Sequence, residues 1–148
     1  MTVIRQLLEN RILWVGVLCW FVAQTLKVVL TLIVEKKLDW SRMFGLGGMP
    51  SSHTSVVVSM SVASGIRMGF NSAIFAISAG LALITMTDAM GVRREAGKQA
   101  AVINRVVQEL VENGGDLQER TLKELLGHSP LQVFVGAMVG LIIALIAT

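Results

Sequence analysis

The chain carries a long run from Ile12 to Val34 that is apolar except for Gln24, Thr25, Lys27 and Thr31. As a helix these 23 residues would reach about 34 Å, enough to cross a bilayer. Arg5 and Arg11 precede the run, as basic residues precede a signal peptide. The run is too long for such a core, however, and the charged Glu35-Lys36-Lys37 follows with no small-residue cleavage site between. Three more runs follow. Ser55–Phe70 is rich in small residues, which let helices approach closely, and reads as a helix inside a bundle. Ala73–Met90 comes after the short turn Asn71-Ser72. Leu131–Ala147 carries no charge and contains Gly136-x-x-x-Gly140, a spacing read here as intramolecular packing. With 53% hydrophobic and 16% charged residues in 148, the chain has too little polar surface for a small water-soluble domain. The expected fold is all-α: one integral membrane domain over residues 1–148, a four-helix transmembrane bundle.

Between the third and fourth runs lies a polar insert, about residues 95–126. Val102, Val106 and Leu110, with Ile103, Val107 and Val111, form two adjacent apolar rows at helical spacing. Asn113-Gly114-Gly115 ends that helix. Asp116 and Glu119 resemble a capping box opening a second one, lined by Leu117, Leu122, Leu125 and Leu126 and closed by Gly127. The insert reads as an amphipathic helical hairpin, of a kind that also lies on membrane surfaces.

Four spans place both termini on one side, and the 35–52 loop and the insert together on the other. Both histidines, His53 and His128, fall on that second side with Arg42, Arg93 and Arg94. Lys27, in the later half of the first span, can reach it; an ionisable residue inside a span is by default a functional candidate. Gly47-Gly48-Met49-Pro50-Ser51-Ser52-His53 and Gly127-His128-Ser129-Pro130 each open a helix. A helix start offers unpaired N–H groups and partial positive charge, a ready anion site. Capping explains the serines and prolines but not a histidine at both places. Two imidazoles among cations suit phosphoryl chemistry: one attacks phosphorus, the other protonates the leaving oxygen, and the cations stabilise the equatorial oxygens. Carboxylates are scarce here, only Asp88 being well placed, so no metal and no cofactor are expected. The single cysteine, Cys19, excludes an intrachain disulfide and a multi-cysteine metal site. The net charge of +3 resides mostly in loops between spans, which points to topology or headgroups rather than nucleic acid.

Pro50-Ser51-Ser52-His53 resembles the Pro-Ser-Gly-His motif of the type 2 phosphatidic acid phosphatase superfamily, which shares its fold with vanadium haloperoxidases. His128-Ser129-Pro130-Leu131-Gln132 resembles its His-x-x-x-Asp motif, and Val133-x-x-Gly136 the Val-x-x-Gly that often follows. With Asp88-Ala89-Met90-Gly91-Val92-Arg93-Arg94, nearly the whole chain is similar to the short divergent bacterial branch of that superfamily. The resemblance implies a metal-independent phosphatase of the inner membrane acting on a lipid phosphate or polyprenyl pyrophosphate. It implies His128 as nucleophile, His53 as general acid, and Lys27, Arg42, Ser51, Ser52 and Arg93 or Arg94 as phosphate ligands.

The sequence departs from the family pattern in several places. Lys27 and Arg42 are more widely spaced than usual, and no Pro follows Arg42. No Ser precedes the arginine pair, and the insert separates it from His128. Four spans stand where many integral relatives have six, so a homodimer could complete the site. Gln132 replaces the Asp that orients the nucleophile; Asp88 is the alternative orienter. A non-catalytic protein that binds phosphorylated lipid or scaffolds partners is the second reading. A transporter lined by Gln24, Lys27 and Asp88 is the third. The excess of Lys and Arg in the loops of the site side predicts that this side faces the cytoplasm.

Overall fold

The computed structural model describes residues 2–36, 38, 40–43, 48–112 and 127–148. Every regular element among them is helical. α1 spans Val3–Glu9, α2 Arg11–Glu35, a 3₁₀ turn Trp40–Met43, α3 Ser52–Met68, α4 Ala73–Met90, α5 Val92–Glu112 and α6 Pro130–Ala147. The four apolar runs thus become α2, α3, α4 and α6. Three stretches are long and apolar enough to cross a membrane: Arg11–Glu35, Ala73–Glu109, which takes in α4 and most of α5, and Pro130–Ala147. α3 differs from the expected span: its 17 residues reach only about 26 Å, and serines lower its hydropathy. It is instead the most enclosed helix, packed against α2, α4 and α6.

Helix directions follow from the contacts. Ser51 of the α3 start meets Gly136, Ser55 meets Gly140, and Ala63 packs with Ala144, so α3 and α6 run parallel. Along α2 the order reverses: Lys27 reaches Ser52, Cys19 reaches the Ser55 carbonyl, and Val15 meets Ala63. α4 turns back on α3 through Gly69–Ser72. Gly69 has a φ of 92°, a region open to glycine at no steric cost. The Ser72 hydroxyl then caps α4 at the Phe75 amide, and Phe70 stacks edge-on against Phe75 at 5.0 Å. α2 and α4 therefore run one way, α3 and α6 the other.

The interior is small and hydroxylated. Ser55, Ser59, Ser61, Ala63, Ser64 and Gly65 of α3 are buried, and the serines satisfy themselves locally. Ser55 Oγ donates to the Ser51 carbonyl at 2.9 Å, and Ser64 shares a 2.9 Å bond with Ser78 of α4. Leu18, Phe21, Ile77, Leu81, Ile84, Phe134 and Ile142 point outward. Burying small polar residues and exposing large apolar ones reverses the order of a water-soluble bundle. Gly136 and Gly140 face the α3 backbone: a Cβ at Gly136 would lie 2.6 Å from the Ser51 carbonyl oxygen, and one at Gly140 would overlap that of Ser55. The glycine pair therefore serves packing within the chain.

Two features differ from the sequence reading. α1 is an additional helix, with Val3, Ile4, Leu7 and Leu8 all exposed. The helix of the insert begins at Val92, only Gly91 separating it from α4, rather than near residue 95. Val102, Ile103 and Val106 lie on its exposed apolar face. The proposed second helix of the hairpin lies outside the described residues.

Candidate active site

Because α3 and α6 are parallel, their first turns stand side by side. The Ser51 amide donates to the Gln132 carbonyl at 3.1 Å, joining the two starts directly. Ser51 is the N-cap of α3: its hydroxyl accepts from the Thr54 amide at 3.5 Å and from the Thr54 hydroxyl at 3.0 Å. Ser129 is the N-cap of α6, with Pro130 in the first turn, and Ser129 and Gln132 form a reciprocal capping box. Two helix dipoles thus place partial positive charge at one end of the bundle.

Lys27 adds a full charge. It is 3% exposed, and its Nζ donates to the Ser52 hydroxyl at 3.3 Å. Gly48 lies over its stem: a Cβ there would be 3.5 Å from the Lys27 Cδ. This lysine does not snorkel to a headgroup; it runs inside the protein to the start of α3. A buried ammonium beside two helix N-termini concentrates positive charge at this end of the bundle, an arrangement suited to an anion.

His128 is 8% exposed and precedes the N-cap of α6. Its Nδ1 lies 3.2 Å from Oε1 of Gln132, and that oxygen also accepts from the Ser129 amide at 3.0 Å. The Ser129 N–H fixes which end of the amide is oxygen. An oxygen that can only accept requires Nδ1 to be protonated, which leaves the lone pair on Nε2. That lone pair belongs to the neutral ring; the imidazolium carries a proton on both nitrogens. The position of Gln132, four residues after the histidine, allows this contact through one helical turn.

His53 occupies the second position of α3 and is exposed at the mouth, while Ser51 and Ser52 are buried. The Ser51 amide and hydroxyl both serve the protein itself, so of the two serines expected at phosphate, Ser52 is the one whose hydroxyl stands at a cation. Asp88 lies in the last turn of α4, half-buried, at the same end of the bundle. Arg42 is in the 3₁₀ turn Trp40–Met43, and Arg93 and Arg94 are in the first turn of α5; their side chains lie outside the described residues. The backbone thus brings these three arginines to the end that holds both histidines, Lys27, Ser52 and Gln132.

Sequence reading gave Gln24 no part in the phosphatase. In the structure it is 4% exposed, its Nε2 donates to the Met43 carbonyl at 2.7 Å, and it anchors the turn carrying Arg42 to α2. A glutamine inside an apolar run, three residues before Lys27, was the available signal.

A family model described as "Divergent PAP2 family" matches residues 8–143. The chain is 44% identical over 134 residues to "Uncharacterized membrane protein YuiD" of Bacillus subtilis (strain 168), covering 84% of this chain and 85% of the relative. No solved structure matches.

Proposed function

The chain belongs to the divergent PAP2 family, and from that premise we propose that it is a membrane phosphatase hydrolysing a lipid phosphate or polyprenyl pyrophosphate through a phosphohistidine. In this reading α2, α3, α4 and α6 all cross the bilayer, α3 as the enclosed member, within one domain. The observation that carries it is the convergence of Lys27, two helix N-termini and an imidazole whose Nδ1 is held by Gln132.

The phosphoryl group sits at the Ser52 hydroxyl and Lys27, with Arg42 and one arginine of the 93–94 pair completing the cradle. His128 Nε2 attacks phosphorus and forms the P–N bond as the bond to the leaving oxygen breaks. His53 gives that oxygen its proton and afterwards takes one from the water that cleaves the phosphohistidine. The cations stabilise the negative charge on the equatorial oxygens. The mechanism assigns no step to a metal.

One observation favours a second reading, a protein that binds phosphorylated lipid without turnover. Gln132 offers His128 an oxygen with no net charge, and an imidazolium is stabilised less by it than by a carboxylate. Phosphate release by the purified protein in detergent, over a panel of lipid phosphates, decides between them. Turnover that is inhibited by orthovanadate, resists chelators and is lost in His128→Ala is the expected result. Binding of the lipid with no release would establish the second reading.

A further inference from the structure

We propose that Gln24 is a positioning residue of the phosphate site, holding the Trp40–Met43 turn, and with it the backbone of Arg42, against α2; this rests on the phosphatase-type reading of that site. Gln24 and Lys27 are three residues apart, on one face of α2. Each fixes one part of the loop that follows α2. Gln24 Nε2 donates to the Met43 carbonyl at 2.7 Å, and the stem of Lys27 supports Gly48. Met43 is the immediate neighbour of Arg42, so the amide sets where the Arg42 backbone stands relative to the buried ammonium.

The other end of the amide marks the contact as more than packing. Gln24 Oε1 is buried with no hydrogen-bond partner among the described residues. A carbonyl can only accept, so the Met43 oxygen requires the nitrogen end of the amide and turns Oε1 away from it. A buried unpaired amide oxygen is costly, and methionine would fill the same space without one. The side chain that occupies this place in α2 therefore sacrifices stability for its hold on the turn. Gln24 touches no phosphate in this arrangement and acts through Arg42.

The test combines orthovanadate binding, measured by titration calorimetry on the purified full chain in detergent, with steady-state turnover. Gln24→Met keeps the volume and removes the donor; Gln24→Asn keeps the amide but is one methylene short of Met43, and carries the test if the Met variant does not fold. Either is expected to weaken orthovanadate binding about tenfold, the scale of losing one well-placed ionic contact. KM should rise by a similar factor, with kcat changed much less. In an Arg42→Ala background the same substitution should add nothing, because two residues acting through one contact are not additive. Unchanged vanadate affinity in the Gln24 variants, or a full additional loss in the Arg42→Ala background, would overturn the proposal. Wild-type protein that fails to bind orthovanadate would overturn the phosphate site itself, and this role with it.

Discussion

At the scale of single residues, the proposed chemistry depends on His128 and Gln132. The 3.2 Å approach of Nδ1 to Oε1 fixes a tautomer but lends no charge to the imidazolium that forms when Nε2 bonds phosphorus. Gln132→Asp should raise turnover, since a carboxylate in that place stabilises the cation. The Ser129 hydroxyl still accepts from the backbone amide of residue 132, so the cap of α6 should survive the shorter side chain. Circular dichroism and kcat measured on the same preparation check both parts. Unchanged kcat, with Asp88→Asn strongly impaired, would transfer the orienting role to Asp88. His53→Ala should slow a substrate with a poor leaving group by about 10²–10⁴-fold, the usual contribution of a general acid, and an aryl phosphate with a good leaving group far less. Equal losses on both substrates would contradict proton donation by His53. The place of each histidine at a helix start was legible from the serine and proline beside it. The use of the Ser51 amide by the Gln132 carbonyl was not legible, since it depends on α3 and α6 being parallel neighbours.

At the scale of elements, the α3–α6 contact sets the geometry on which these roles depend. Gly136 and Gly140 lie against backbone atoms of Ser51, Ser55 and Ser59, and backbone cannot move aside as a flexible side chain can. Gly136→Ala and Gly140→Ala should each cost about 1–3 kcal/mol, the range for overpacking, and should lower turnover by separating the two helix starts. Gly16→Ala meets side-chain atoms and no backbone, chiefly Met60 Cγ and Sδ at 2.8 Å, and should cost less. Gly80 has nothing within 4 Å of a Cβ, so Gly80→Ala should be neutral or gain about 0.5–1 kcal/mol from its lower backbone entropy. Thermal unfolding of the four variants in one detergent ranks them. Hydrophobic runs and turn residues gave the four bundle helices within a few residues, because run length and flanking charge are local signals. α1 escaped notice because its 7 residues are shorter than the window over which apolar periodicity can be read. The start of α5 was placed late because Arg93 and Arg94 read as a loop, although Gly91 alone separates two helices there.

The whole molecule has a polar end and a plain end, and the remaining question is which faces the cytoplasm. The antiparallel order of α2, α3, α4 and α6 puts the α1–α2 start, Arg67 and the α6 end at the plain end. Arg5, Arg11 and Arg67 are the basic residues of that side. The segments of sequence joining α2 to α3 and α4 to α6 carry Lys36, Lys37, Arg42, Arg93, Arg94, Lys98, Arg105, Arg120 and Lys123. Arginines retained for phosphate bias this comparison, but without Arg42, Arg93 and Arg94 six remain against three. Lys36 directly follows α2, where a positive charge acts most strongly on orientation, and acidic residues in the same loops contribute little. The site and the α5 insert are therefore predicted to face the cytoplasm, with both termini outside. Arg5 and Arg11 oppose this at the first span, so the experiment must report on both ends of the chain. A reporter active only in the cytoplasm should be silent when fused after Thr148 and active when inserted at Gly114. The reverse pattern would place the site on the outer face. The roles proposed for His53 as acid–base and His128 as nucleophile would be unaffected, but the substrate would then have to be a phosphorylated lipid presented from the outer leaflet.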